Sequence, residues 1–140
     1  MRSITRLCGL CAATAALCGA AFAQENAGTN LYKTQEYHGL TGKKAVIFYL
    51  NWPAPGKGSK VTGDYFFLDD AMSTSYSLSG KNYKDGRLVL TEYREDKPTA
   101  VIRLRKSVKD GGIHWNGTMY NTDGRKIPVS LTSYSEAQNE

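Results

Sequence analysis

The stretch that decides the fold class runs from Gly86 to Thr132 and reads GRLVLTEYREDKPTAVIRLRKSVKDGGIHWNGTMYNTDGRKIPVSLT. Apolar and polar residues alternate in four consecutive runs of this stretch. A period of two is typical of a β-strand with one buried face. The residues expected on that buried face are Leu88, Leu90, Ala100, Ile102, Leu104, Ile113, Trp115, Met119, Ile127, Val129 and Leu131.

Turn signals separate the four runs. They are Glu95-Asp96-Lys97-Pro98, Asp110-Gly111-Gly112 and Asp123-Gly124. Asp-Gly pairs accommodate the positive φ angles of tight hairpin turns. Consecutive strands are therefore expected to be antiparallel neighbours.

The register of these strands can be tested on the sequence itself. Pairing Val89 with Arg103, Arg103 with Asn116 and Gly117 with Val129 puts the apolar residues of all four runs on one face. A slip of one residue would move a strand's apolar set to the other face. The agreement between the four patterns supports a single sheet with one apolar side.

Earlier strands are expected at about Lys44–Leu50, Val61–Leu68 and Thr74–Ser79, with a short one near Tyr37. A sheet with one apolar face must curl or pack against another sheet. The sequence therefore predicts a single-domain, all-β protein, an antiparallel meander barrel or sandwich of seven to eight strands. Pro128 cannot donate to a strand ladder, which argues for an edge or a bulge there and against full closure.

The N-terminal segment has the pattern of a secretory signal peptide. Arg2 and Arg6 precede an apolar run from Leu7 to Ala21, and small residues flank Phe22 in Ala21-Phe22-Ala23. A basic start, a short apolar middle and small residues before the cut are typical of cleaved export signals. The run is too short for a membrane span, which takes about 20 residues. We expect cleavage near Ala23 and a periplasmic or secreted protein.

Cleavage would define residues 1–23 as the signal peptide and residues 24–140 as one β domain with loose polar ends. It would remove all three cysteines, Cys8, Cys11 and Cys18, and with them any thiolate metal site or redox pair. The remaining chain has 16 basic and 13 acidic residues, a net charge of +3. That excess is small for a nucleic-acid-binding protein, so no nucleic acid is expected.

The outward face of the last strands is basic. With the pairing above, Arg87, Arg105 and His114 come into register, and Arg103 lies one pair further along. Arginine and tyrosine are frequent hot spots in protein interfaces, so the face suits an acidic protein surface. The alternative is a solvated, charge-balanced sheet face. Residues near this stripe are Lys106, Lys109, Tyr93 and Tyr120.

The segment SLSGKNYKDG, residues 77–86, contains a loop, residues 79–86, that is expected to protrude between two strands and to carry Ser79, Lys81, Tyr83 and Lys84. It resembles the short loop of the small periplasmic lysozyme inhibitors of bacteria. That resemblance implies an exported β protein whose Ser79 and Tyr83 enter an enzyme cleft while Lys81 and Lys84 meet catalytic carboxylates. The rest of the chain is similar to small exported bacterial barrel proteins, some of them immunity proteins.

Two other functions remain open. Gly63 and Gly117 fall on the inward face, where they either leave space for a small apolar ligand in a lipocalin-like barrel or allow bent strands to coil. Glu92 and Trp115 would belong to the same ligand site. Alternatively, Glu92 is a general acid in an apolar site, or a carboxylate at the barrel rim that is solvated or paired with lysine or arginine.

No motif of a known catalytic machinery is present. The sequence has no Gly-x-Ser-x-Gly elbow, no His-Glu-x-x-His pair and no phosphate-binding loop, and His38 and His114 are its only histidines. No cofactor and no metal are expected. The sequence thus predicts a non-enzymatic, exported binding protein that inhibits an envelope-directed hydrolase by loop occlusion, with an acidic protein surface as its partner.

Overall fold

The computed structural model describes residues 31–70 and 74–134. The predicted signal segment, residues 1–23, and the polar ends 24–30 and 135–140 lie outside this part. Within the described residues the chain forms eight strands, with one 3-10 turn, Leu68–Asp70, after the third. The strands are β1 Leu31–Thr41, β2 Lys44–Pro53, β3 Lys60–Phe67, β4 Ser75–Asn82, β5 Arg87–Arg94, β6 Lys97–Lys109, β7 Gly112–Asn121 and β8 Lys126–Tyr134.

The strands form a closed antiparallel barrel in meander order, in which β8 returns to pair with β1. The predicted all-β class is confirmed, and of the two architectures the barrel is the correct one. β1 spans 11 residues, so the strand around Tyr37 is longer than the short one expected. No helix in the described part is long and apolar enough to cross a membrane.

Side chains fill the barrel interior. The ring of Tyr65 stacks on Phe48 at 4.6 Å and on Tyr76 at 4.8 Å between centroids. An eight-stranded barrel is about wide enough for side chains alone. Burying one leucine stabilises the fold by about 1.5–3 kcal/mol. The other largest fully buried side chains are Leu50, Leu88, Leu90, Ile102, Leu131, Val46 and Val61.

Four inward-facing glycines let neighbouring strands approach closely. A Cβ atom on Gly63 would lie 2.1 Å from the Tyr49 carbonyl oxygen, and one on Gly117 would lie 1.8 Å from that of Arg103. A Cβ atom on Gly39 or Gly80 would likewise overlap a backbone carbonyl oxygen of the neighbouring strand. Gly63 and Gly117 therefore leave no room for a ligand; they allow the strands to coil tightly around the barrel.

The pairing of β6 with β7 differs from the predicted one by two residues. Val89 pairs with Arg103 and Gly117 with Val129 as expected, but Arg103 pairs with Thr118. Asp110 and Gly111, both with positive φ, form the turn by themselves. Because the difference is an even number, every side chain keeps its predicted face.

The prediction that residues 79–86 form a protruding loop is wrong. β4 continues to Asn82, so Ser79 lies opposite Thr91 and Lys81 opposite Val89 within the sheet. Only Tyr83 to Gly86 turn, and the turn is closed by hydrogen bonds between Tyr83 and the residues that follow. Gly80 is a strand residue at a close approach and not the start of a loop.

Pro128 does not open the barrel, in contrast to the expectation. It lies opposite Thr118 in the β7–β8 pair and one residue beyond Val129, the last β8 partner of β1. Its carbonyl oxygen accepts a hydrogen bond of 2.7 Å from Gly42 N. The missing N–H of proline falls where the β1–β8 pairing has already ended, so the closure is kept.

Candidate functional site

The basic face is the name used here for the outward side chains of Arg87, Arg103, Arg105 and Tyr120 on β5, β6 and β7. Outward residues alternate with core residues in these strands, so Arg103 lies between buried Ile102 and Leu104. Arg87 lies directly opposite Arg105. The face borders a shallow groove of about 290 Å³, lined also by Asn116 and Thr118.

The arginines of the basic face are poorly neutralised. Arg87 Nε donates to Asp85 Oδ2 at 2.8 Å, which lowers the pKa of the Asp85 carboxyl. In residues 31–70 and 74–134, no carboxylate lies within salt-bridge distance of Arg103 or Arg105. Like charges directly opposite each other destabilise an antiparallel pair. The arrangement is unfavourable for folding and favourable for an anionic partner.

The β4–β5 turn extends the positive charge to the end of the barrel. The Arg87 guanidinium lies 4.5 Å from the centre of the Tyr83 ring, and Lys81 Nζ lies 5.3 Å from it. Such cation–π contacts contribute about 0.5–1 kcal/mol at exposed sites. They hold Tyr83 between two cations at the margin of the basic face.

Of the eight predicted partner-binding residues, the three arginines belong to the basic face, Lys81 and Tyr83 lie at its margin, and the other three lie elsewhere. Ser79 is a half-buried residue of β4. Lys84 borders the cavity at the barrel end. His114 is opposite Ser107, not Arg105, and its Nδ1 is hydrogen-bonded with Thr132 Oγ1 at 3.0 Å.

Removing one charge of the Arg87–Arg105 pair should stabilise the folded protein. We expect Arg105→Thr to raise the free energy of unfolding by about 0.5 kcal/mol at low salt, because it removes the charge opposite Arg87 and introduces a good strand former. Urea denaturation at low and high salt measures the effect, which should shrink as salt screens the pair. A loss of stability that is independent of salt would show that Arg105 stabilises the sheet.

Glu92 is buried inside one end of the barrel, with 4 % of its surface exposed. The prediction that Glu92 faces inward is confirmed. The alternative prediction, that its carboxylate is solvated or paired with lysine or arginine, is wrong. Tyr65 Oη and Thr99 Oγ1 donate hydrogen bonds to its two oxygens, the latter at 2.6 Å. Burial, with the Glu92 hydrogen bond second, raises the pKa of Tyr65 above its ordinary value.

At this end of the barrel both oxygens of the Glu92 carboxylate have a hydrogen-bond donor. A cavity of about 200 Å³ adjoins it, bordered by Arg94 and Arg125. Thr41 Oγ1 is buried there without a hydrogen-bond partner among the described residues. Sequence reasoning did not find either partner. Thr99 lies beside Glu92 in the β5–β6 hairpin, where the register shift at Glu92 and Tyr93 was not predicted, and Tyr65 comes from β3, which does not pair with β5.

The opposite end of the barrel is aromatic. The Trp52 and Trp115 rings stack at 5.9 Å between centroids, and Tyr37 meets Trp52 edge to face at 6.5 Å. Trp115 therefore lies at one end and Glu92 at the other. The four residues expected to share a ligand site, Gly63, Glu92, Trp115 and Gly117, do not come together.

Comparison with known proteins identifies no match, so a function is inferred from the fold and the geometry of the site. No family model matches the chain, and no curated protein and no solved structure matches it either.

Proposed function

We propose that the chain is a non-enzymatic, exported binding protein that docks an acidic protein surface on its basic face. The observation that carries this proposal is the pair Arg87 and Arg105, which are directly opposite each other. Arg103, with no carboxylate partner in the described part, continues the same surface. Arginines next to an exposed tyrosine, here Tyr120, are the composition of interface hot spots.

A cell-wall hydrolase is the partner class that this chemistry fits best. Enzymes that cleave glycosidic bonds generally hold two carboxyl groups across the scissile bond, which gives their clefts a negative surface. Guanidinium groups bind carboxylates through two parallel hydrogen bonds. The export signal predicted from the sequence would bring the chain to the compartment in which such enzymes act.

Inhibition would occur by occlusion with a sheet face and not by an inserted loop. Ser79 and Lys81 are held in β4 by pairing on both sides, so they cannot extend into a cleft. The backbone of the basic face is part of the same paired sheet. A preorganised surface loses little conformational entropy on binding, and its charge accelerates encounter with an acidic partner.

Inhibition assays with charge-reversed variants test the proposal. Purified residues 24–140, which contain every strand of the barrel, are titrated into a panel of lysozymes and other peptidoglycan hydrolases. We expect at least one to be inhibited, and Arg103→Glu with Arg105→Glu to weaken that inhibition by about a hundredfold, because truncating or reversing interfacial charges costs about 2–5 kcal/mol. Circular dichroism checks that the variant folds.

Lys43→Glu with Lys57→Glu is the matched control. It reverses two exposed charges in the β1–β2 and β2–β3 connections, away from β5, β6 and β7. Inhibition should persist in this variant and should weaken with salt in the wild type. Equal losses in both double variants would refute a specific role for the basic face. Absence of inhibition across the panel would refute the hydrolase as the partner class.

A further inference from the structure

The barrel mouth is the name used here for the cavity at the Trp115 end, which has a volume of about 390 Å³. Ligand pockets commonly have volumes of about 300–1,000 Å³. The apolar part of its wall consists of Tyr37, Trp52, Ile113 and Trp115. Tyr37 and Trp115 are buried members of the core, and Trp52 and Ile113 are partly buried against it, so the inward side of β1, β2 and β7 ends in aromatic and aliphatic side chains at this opening.

The polar part of the wall carries one sign of charge. Lys33, Lys84 and Lys106 all border the cavity, and none of its lining residues in the described part is acidic. Lys106 is on the inward side of β6, past the last core residue Leu104. Charges of one sign around a concave apolar surface concentrate the field and attract ions of the other sign.

A buried indole N–H belongs to the same wall. Trp115 is 3 % exposed, and its Nε1 makes no well-aligned hydrogen bond among the described residues, although the indole is close enough to Tyr37 to lower the pKa of that phenol. Burial outweighs this effect and raises the pKa of Tyr37. Buried N–H groups without a partner are rare because each costs about 1–3 kcal/mol.

We infer that the barrel mouth binds a small amphipathic anion, whose apolar body packs on the indole rings and whose carboxylate, phosphate or sulfate group meets Lys84 and Lys106. The site goes beyond the proposed function, since its residues are separate from the arginines of the basic face. It also replaces the interior ligand site expected from the sequence, because the barrel interior is filled and the opening is not.

Isothermal titration calorimetry with charge-matched probes tests the inference. Decanoate and 2-naphthoate offer an acyl and an aryl anion, and decylammonium and 2-naphthylmethylammonium are their cationic counterparts. We expect at least one anion to bind saturably and about tenfold or more tightly than its counterpart. Which anion binds better distinguishes an acyl ligand from an aromatic one.

Substitutions identify the residues that bind the anion. Lys84→Gln with Lys106→Gln should weaken anion binding about tenfold or more, and Trp52→Leu should weaken it similarly through lost stacking. Lys43→Gln with Lys97→Gln removes two charges at the opposite end and should leave the affinity unchanged. Arg103→Glu with Arg105→Glu should also leave it unchanged, which separates this site from the basic face. Circular dichroism checks each variant for folding.

Three results would overturn the inference. They are the absence of saturable heat with either anion, equal affinity for anions and cations, and unchanged affinity in the folded Lys84 and Lys106 double variant. None of these results bears on the basic face, so the proposed function stands or falls by its own assay.

Discussion

Gly117→Ala is expected to prevent the barrel from folding. An added Cβ would lie 1.8 Å from the Arg103 carbonyl oxygen, 2.8 Å from its carbon and 3.0 Å from Leu104 Cα. All three atoms belong to the backbone of β6, so no side-chain rotation relieves the overlap. Inserting atoms into a well-packed site costs about 1–3 kcal/mol even when side chains can move. An overlap with backbone atoms should cost more than this. A cost of that size is a large fraction of the free energy of unfolding of a small domain.

Circular dichroism and urea denaturation measure this effect. Thr118→Ala is the matched control, because it alters the next residue of β7 on the outward side of the sheet, opposite Arg103 and Pro128. It should change the free energy of unfolding by less than about 1 kcal/mol. A Gly117→Ala protein with the stability of the wild type would mean that β6 and β7 are further apart than the structure places them.

Tyr65→Phe is expected to destabilise the protein at neutral pH and to do so less as the pH rises. The variant leaves Glu92 with one hydrogen-bond donor fewer in a buried site, which costs about 1–3 kcal/mol. In the wild type, burial followed by the Glu92 hydrogen bond raises the pKa of Tyr65. Its stabilising contribution is fully present below the unfolded-state pKa, about 10, and is lost as the pH rises beyond it.

The sign of this pH dependence follows from the proton count. Above about pH 10 the unfolded chain releases the Tyr65 proton and the folded protein keeps it, so unfolding becomes easier. The destabilisation caused by Tyr65→Phe should therefore fall by about 1.4 kcal/mol between about pH 8 and pH 11. Urea denaturation across this range tests it, with Tyr120→Phe as the exposed control. A destabilisation that is constant with pH would contradict the burial of the Tyr65 phenol.

The fold could be predicted from the sequence because alternation and turn chemistry agree along the last four strands. Leu88, Leu90, Ile102 and Leu131 were expected on one face, and all are fully buried. The error in the β6–β7 pairing arose because an Asp-Gly-Gly sequence can turn at more than one position. Periodicity fixes only whether a side chain faces in or out, so it does not detect a slip of two residues.

The structural role of glycine was the hardest to predict from this sequence. Gly80 was interpreted as a loop residue, which gave the protruding segment 79–86, whereas it lies in β4 against the Val89 carbonyl. Gly80, Gly63 and Gly117 all occupy positions of close strand approach. A turn glycine and a coiled-strand glycine look alike in sequence, and only the position of the neighbouring strand separates them.

The candidate site was predictable where it depends on residues in adjacent strands. Arg87 and Arg105 were expected opposite each other, and they are. Contacts between strands that do not pair with each other were not predictable: Tyr65 on β3 reaches Glu92 on β5 across the interior, and Trp52 on β2 stacks on Trp115 of β7. Such pairs are far apart in sequence and share no periodic pattern.

The most direct test of the basic face is a map of the bound surface. Residues 24–140, labelled with nitrogen-15, are titrated with the peptidoglycan hydrolase that they inhibit best, and the amide chemical shifts are followed. Binding through the basic face predicts perturbations concentrated on Arg87, Arg103, Arg105, Thr118 and Tyr120. Perturbations confined to the Tyr83–Gly86 turn and the barrel mouth, or to the strands around Glu92, would contradict it.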